Sequence, residues 1–264
     1  MEFKSIIMSI DGEICTITLN RPEQLNAISL EMMEELFNAV TLVAKDNNVR
    51  VLIITGEGRA FCAGADMKLL EQIIETKAGF QFRRVLRDEI QRAVNCIEHL
   101  EKPVIAAING FATGGGAEIA LACDFRISSE QARFIFTEVK IGAIPDAGGI
   151  PRLTRLLGYG KAKELIMLAR SVDGREAERI GLVNKCVSHD NLIGEAGQWA
   201  EDLLKCAPLA VGAAKRVIDL AMNVDLMTAL DLTGIAQNEL FNSEDADEAV
   251  QAFSEKRKPV FKGK

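Results

Sequence analysis

Two stretches of this sequence repeat one pattern, and that pattern leaves few folds open. VLIIT at residues 51–55 runs into Gly56, and VIAAI at residues 104–108 runs into Asn109-Gly110. Unbroken apolar runs of this length suit strands covered on both faces. Each is followed by a glycine-containing loop, GRAFCAGAD or GFATGGGAE, and each loop leads into a stretch compatible with a helix. The chain is therefore expected to be α/β, with ligands meeting it at these loops, where such folds place them.

The flanking segments fit the same class. Residues 4–10 and 13–19 read as two short strands broken by Asp11-Gly12, a hairpin signal. From residue 30 to 43 apolar residues recur at helical spacing, with Ser29 placed as the cap. Residues 82–100 predict an amphipathic helix, and residues 76–79 a polar loop near the site. Beyond Lys161 the pattern is mostly helical, interrupted at Gly174, Gly181 and Pro208, so this part is expected to add helices rather than sheet. No linker, low-complexity run or tandem repeat divides the chain.

Composition narrows the function. With 264 residues, 48% hydrophobic and 26% charged, the chain can bury a real core, and one α/β domain fits best. A net charge of -7 argues against whole-surface attraction to nucleic acid or an anionic membrane. The apolar stretch in MEFKSIIMSIDGE is too short for a signal core or a membrane span, so a cytoplasmic protein is expected. Cys15, Cys62, Cys96, Cys123, Cys186 and Cys206 form no CxxC pair and are expected as free thiols. His99 and His189 give a histidine triad or zinc site little to work with, and both are expected at the surface.

Gly114-Gly115-Gly116 directly precedes AEIALA, a strong helix former, so free backbone N–H groups and a helix dipole favour negative charge there. The lysine and hydroxyl of a phosphate loop are absent, and no dinucleotide fingerprint is evident. Taken alone, a triple glycine is weak evidence for a site. FCAGAD offers a second small-residue turn; on sequence alone it reads first as a plain tight turn, but the two loops together could supply paired N–H donors to a thioester carbonyl. Glu118 and Glu138 lie near this point and suggest acid–base work. Singly, Glu118 reads as a first-turn helix charge, Glu138 as a solvated strand residue and Asp146 as an ordinary turn former.

LNRPEQLNAIS, FCAGADMK, KPVIAAINGFATGGGAEIALACD, FTEVKIGAIPDAGGIPRL and EKRKPVFK together resemble the crotonase (enoyl-CoA hydratase/isomerase) superfamily in order and spacing, over nearly the whole chain. The resemblance implies a spiral of ββα units over residues 1–200 carrying the CoA site. A helical region over residues 201–264 would build trimers, commonly paired into hexamers. It assigns the N–H groups of Ala65 and Gly115 to an oxyanion hole, and matches Glu118 and Glu138 to the two hydratase glutamates that hold water and move its protons. Leu25, Ala27, Ala63 and Asp66 match positions lining the CoA region, with Lys68 a nearby charge for its phosphates. Phe261 and Lys262 match a tail that reaches a CoA site, although a frayed terminus is the plain alternative. No metal or redox cofactor is implied beyond the coenzyme A of the substrate, an acyl-CoA thioester.

Asp146 is the departure, because many hydratases of that family carry glycine there and related dienoyl-CoA isomerases an acid. Those isomerases, however, tend to have aspartate where Glu118 stands. The expected activity is hydration of a 2-enoyl-CoA to a 3-hydroxyacyl-CoA, with an enoyl- or dienoyl-CoA isomerase using Glu138 and Asp146 as the alternative. A scaffold or nucleic-acid-binding role is the remaining reading, since fold does not fix function.

Overall fold

A computed structural model describes residues 3–76 and 83–264. The polar loop expected at residues 76–79 lies, beyond Thr76, outside the described residues.

The chain opens with the expected hairpin, β1 (Ile6–Asp11) and β2 (Ile14–Leu19). They pair antiparallel with Asp11 opposite Ile14, and Gly12 turns the chain at φ 56°. Next comes α1 (Leu30–Lys45), capped by the Ser29 hydroxyl, which accepts from Met32 N. One stripe of α1, from Met32 to Val43, is buried.

Three strand pairs then follow in turn: β3 (Val51–Gly56) with β4 (Ala60–Cys62), β5 (Val104–Ile108) with β6 (Phe111–Thr113), and β7 (Phe125–Ser129) with β8 (Arg133–Ile135). The first member of each pair joins one sheet and the second joins another. With β9 (Val172–Asp173) and β10 (Lys185–Val187), the sheets run β1-β2-β3-β5-β7-β10 and β4-β6-β8-β9. From β2 to β10 the larger sheet is parallel.

Sequence reading places GRAFCAGAD and GFATGGGAE in loops, yet each contains a three-residue strand. AFC and FAT are too short to show a period, and only the second sheet reveals them. Likewise, the chain beyond Lys161 is not helix alone. β9 and β10 close the ends of both sheets, and two or three residues give no alternation to detect.

Continuous apolar strands make sense here because the larger sheet is buried on both faces. Leu52, Ile54, Val104, Ala106 and Ile108 face the main core with α1. Val51, Ile53, Ile105 and Ala107 face a second cluster with Leu192, Ala196 and Ala200 of α7 (Leu192–Leu204). The helix expected over residues 82–100 is described from Arg83. It winds as a π turn at Leu86–Gln91 and continues as α3 (Arg92–Glu98), which packs on α1 with the Arg92 guanidinium 4.1 Å from the Phe37 ring centre. Two further helices, α2 (Met67–Thr76) and α4 (Gly115–Ala122), start at the small-residue loops.

The remaining helices are α5 (Gly149–Met167), α6 (Gly174–Arg179), α8 (Pro208–Ala221), α9 (Leu226–Phe241) and α10 (Glu244–Glu255). Gly174 and Pro208 open helices and Gly181 follows one at φ 81°, so the expected interruptions are helix boundaries. No described helix is long and apolar enough to cross a membrane. His99 and His189 are exposed and the six cysteines are unpaired.

Candidate active site

The two glycine loops touch. Gly64 sits at φ 86°, and a Cβ placed there would lie 2.7 Å from the Thr113 carbonyl oxygen and 3.5 Å from Gly115 N. At Gly116 a Cβ would come within 2.1 Å of the Cys62 carbonyl oxygen. Side chains at either position would push the loops apart.

This contact sets two amides side by side. Ile28 donates to the Gly64 carbonyl at 2.7 Å and its own carbonyl accepts from Asp66 N at 2.9 Å, a parallel bridge centred on Ala65. In such a ladder the straddled residue's own N–H points away from the partner segment. Ala65 is exposed, so that N–H meets open space. Gly115 is the first residue of α4, and its N–H is one of the donors no helix can satisfy internally. A half-exposed Gly115 therefore carries an unsatisfied amide at the positive end of the helix dipole, next to the Gly64–Ala65 turn.

Behind these donors lie the three acids. Glu118, one turn into α4, is 2% exposed, and its Oε1 accepts from Gly149 N at 2.6 Å. Burial pushes its carboxyl up to about 8; the Gly149 N–H opposes the rise, and the charges of Glu138 and Asp146 add to it. Glu138 opens a 3-10 turn (Glu138–Ile141) rather than lying on a strand in solvent. Its Oε1 would be 3.0 Å from a Cβ on Gly114, which places it against the triple glycine.

Neither Glu138 oxygen finds a hydrogen-bond partner on another described residue, and only its own backbone amide favours the charged form. Burial, and then the charge of Asp146, hold its carboxyl above the ordinary range. Asp146 is also raised, by burial. Three carboxyls that resist ionisation beside two free amides form a place where a proton can be exchanged near a polarised carbonyl.

The other expected contacts are more varied. Leu25, Ala27 and Ala63 are half-exposed and Lys68 is exposed on α2, around the same loops. Asp66 is taken up by the chain itself: Oδ2 pairs with Arg21 at 2.8 Å and Oδ1 accepts from Lys68 N at 3.0 Å. Phe261 and Lys262 belong to a tail that is anchored, not frayed. Asp245 accepts from Lys262 N at 2.6 Å and Gly263 N at 2.9 Å. Among the described residues no hydrogen bond joins this tail to the glycine loops.

Sequence reading passed over the residues that brace the loops. Arg21 donates to the Ala27 carbonyl and bonds Asp66, while buried Asn26 donates to the Glu57 and Ala60 carbonyls at 2.9 and 2.8 Å. Leu25 and Asn26 both take left-handed backbone, at φ 53° and 55°. A polar residue inside LNRPEQLNAIS was the available signal, but its partners are carbonyls more than thirty positions away.

Comparison with known proteins identifies the family. The sequence pattern described as enoyl-CoA hydratase/isomerase matches residues 9–264. A short-chain-enoyl-CoA hydratase of Clostridium acetobutylicum is 42% identical over 98% of this chain and 97% of its own length. A crotonyl-CoA hydratase of Syntrophomonas wolfei is 39% identical, over 99% of both chains. The crystal structure of an enoyl-CoA hydratase from Bacillus anthracis, 41% identical, superposes with a TM-score of 0.92 over 99% of this chain and 100% of that one. The chain belongs to the enoyl-CoA hydratase/isomerase family, and its α/β architecture of two sheets fed by successive strand pairs is the crotonase fold.

Proposed function

We propose that this chain is an enoyl-CoA hydratase, a hydro-lyase that adds water across the 2,3 double bond of a short-chain enoyl-CoA to give the 3-hydroxyacyl-CoA. The observation that carries this reading is the contact between the two glycine loops, Gly64 against Gly115 N, beside the buried Glu118 and the Glu138 carboxyl packed on Gly114. The two amides hold the thioester carbonyl oxygen and stabilise the enolate-like charge that develops there, each donor contributing about 3 kcal/mol. The charge of Glu138 adds to the burial that raises Glu118. One carboxylate takes a proton from water as its oxygen bonds to C3, and a carboxyl delivers a proton to C2.

Both relatives named above are hydratases, of a short-chain enoyl-CoA and of crotonyl-CoA, which supports hydration over the Glu138–Asp146 isomerase alternative. Leu25, Ala27, Ala63 and Lys68 border the CoA moiety, with Asp66 fixing the loop. On this reading no metal or redox cofactor takes part, and turnover is expected to survive a chelator. Exposed apolar residues on the C-terminal helices, including Leu226 and Phe241 at 73% and 72% and Phe253 at 87%, support a homotrimer or hexamer in which Phe261 and Lys262 serve a neighbouring site. Six thiols suit a reducing cytoplasm, and fatty-acid metabolism is the setting such chemistry fits.

The test is loss of crotonyl-CoA absorbance with wild type, Glu138→Gln and Asp146→Asn. Activity abolished by the first change and retained in the second supports the reading; a wild type that hydrates no enoyl-CoA removes it.

A further inference from the structure

Gly149, whose amide holds Glu118, stands at the head of α5 just after the Asp146-bearing turn, and that turn is tied from behind. Arg152 folds back over it, one turn further along α5. Its Nη1 donates to the Ala147 carbonyl at 2.9 Å, its Nη2 donates to Asn95 Oδ1 at 2.8 Å and Glu98 Oε2 at 2.6 Å, and its Nε reaches Glu98 Oε1 at 3.2 Å. Only 9% of the Arg152 side chain is exposed.

A Cβ on Gly148 would lie 2.0 Å from Nη1, so the turn and the guanidinium are fitted to each other. On the other side, Gln91 Nε2 donates to the Asp146 carbonyl at 2.7 Å. Gln91, Asn95 and Glu98 follow one another along the same helical stretch at spacings of four and three, on one face. That face and Arg152 grip three successive parts of the turn: Asp146 by its carbonyl, Ala147 by its carbonyl, and α5 through the arginine itself.

We propose that Arg152 is a positioning residue for the reaction, setting the place of Gly149 N–H against Glu118 by bracing the turn against α3. This rests on the hydratase reading above. Among the described residues Arg152 makes no hydrogen bond or ion pair with Glu118, Glu138 or Asp146. Its effect on Glu118, which faces Glu138, Asp146 and the Gly149 amide, passes through the backbone. A lysine keeps the charge and a contact with Glu98 but lacks the planar fork that spans Ala147, Asn95 and Glu98 together.

The test compares wild type, Arg152→Lys and Arg152→Gln by kcat and KM for crotonyl-CoA, the pH profile of kcat/KM, thermal midpoint, and carbon-13 titration of the Glu118 carboxyl. The expected result for Arg152→Lys is a folded protein whose kcat falls roughly 30-fold with KM within about threefold. Its profile and the Glu118 titration both move to higher pH, by about half a unit or more, because the carboxylate loses a donor. Arg152→Gln behaves likewise or more severely.

A folded Arg152→Lys with kcat within about twofold of wild type overturns the proposal. So does a loss of kcat with unmoved pH profile and titration, or failure of Arg152→Lys to fold, which would make the arginine a structural strut. If the wild type hydrates no enoyl-CoA, the proposed function falls, and the Glu118 titration alone then judges Arg152.

Discussion

Glu118 and Glu248 are the same residue placed in opposite surroundings. In the pocket Glu118 is enclosed, near two other acids, and holds one backbone amide; its carboxyl is pushed up to about 8. On α10, Glu248 accepts from Arg257 Nη1 and Nη2, at 2.5 and 2.9 Å, and from Val260 N at 2.7 Å, and the Arg257 hydrogen bonds hold its carboxyl down at about 2. A carboxylate with its partners satisfied is committed to holding the tail, and gains nothing from taking up a proton near neutrality. One that is buried with backbone amides as its only partners and repels neighbouring acids binds a proton in the range where it can also release it.

The contrast breaks most visibly in turnover. Glu118→Gln is expected to cut kcat for crotonyl-CoA hydration by about a thousandfold, while Glu248→Gln stays within about twofold, both measured by the absorbance assay. Near-equal losses would erase the distinction between the regions. Next in size is packing: Gly116→Ala drives a methyl into the Cys62 carbonyl, 2.1 Å away. Urea unfolding should show a loss of about 3 kcal/mol or no folded protein at all.

The two glutamates also act on stability in opposite pH windows. A raised carboxyl such as Glu118 contributes stability that is complete below its unfolded value near 4.5 and is lost as pH climbs through about 8. Glu118→Gln should therefore flatten the fall in thermal midpoint between acid and alkaline buffer, by about 3–6 °C. A depressed one such as Glu248 contributes above its unfolded value near 4.5 and loses that as pH falls toward about 2. Arg257→Ala, which frees an exposed pair, should lower the midpoint at neutral pH by about 2 °C or less, the smallest effect of the set.

Much of this was legible where the cause is local. The hairpin, the Ser29 cap, both buried strands and the helix after the triple glycine follow from neighbours in the chain. The acids were found as residue types, but their states were not. Glu138 read alone as a solvated strand residue, and its isolation from partners comes from Gly114 and the 3-10 turn folding over it. Asp66 looked like a ligand contact, yet its carboxylate is engaged by Arg21, forty-five positions earlier. Arg152, Asn95 and Glu98 gave no signal because charges spaced along helices read as surface until the turn they enclose is in place. Strands of two or three residues have no period of their own, so β4, β6 and β9 emerge only from pairing.

The π turn at Leu86–Gln91 has a consequence for length variation in this chain. A π turn accommodates one residue more than the α-helix it interrupts, and such insertions recur at functional sites. Deleting one residue within it would restore ordinary winding and leave the two flanks in nearly the same rotation about the axis, because the wider turn already absorbs the extra residue. Asn95 and Glu98 would keep their grip on Arg152. The helix can therefore gain or lose one residue at Leu86–Gln91 without re-aiming the residues that brace the catalytic turn.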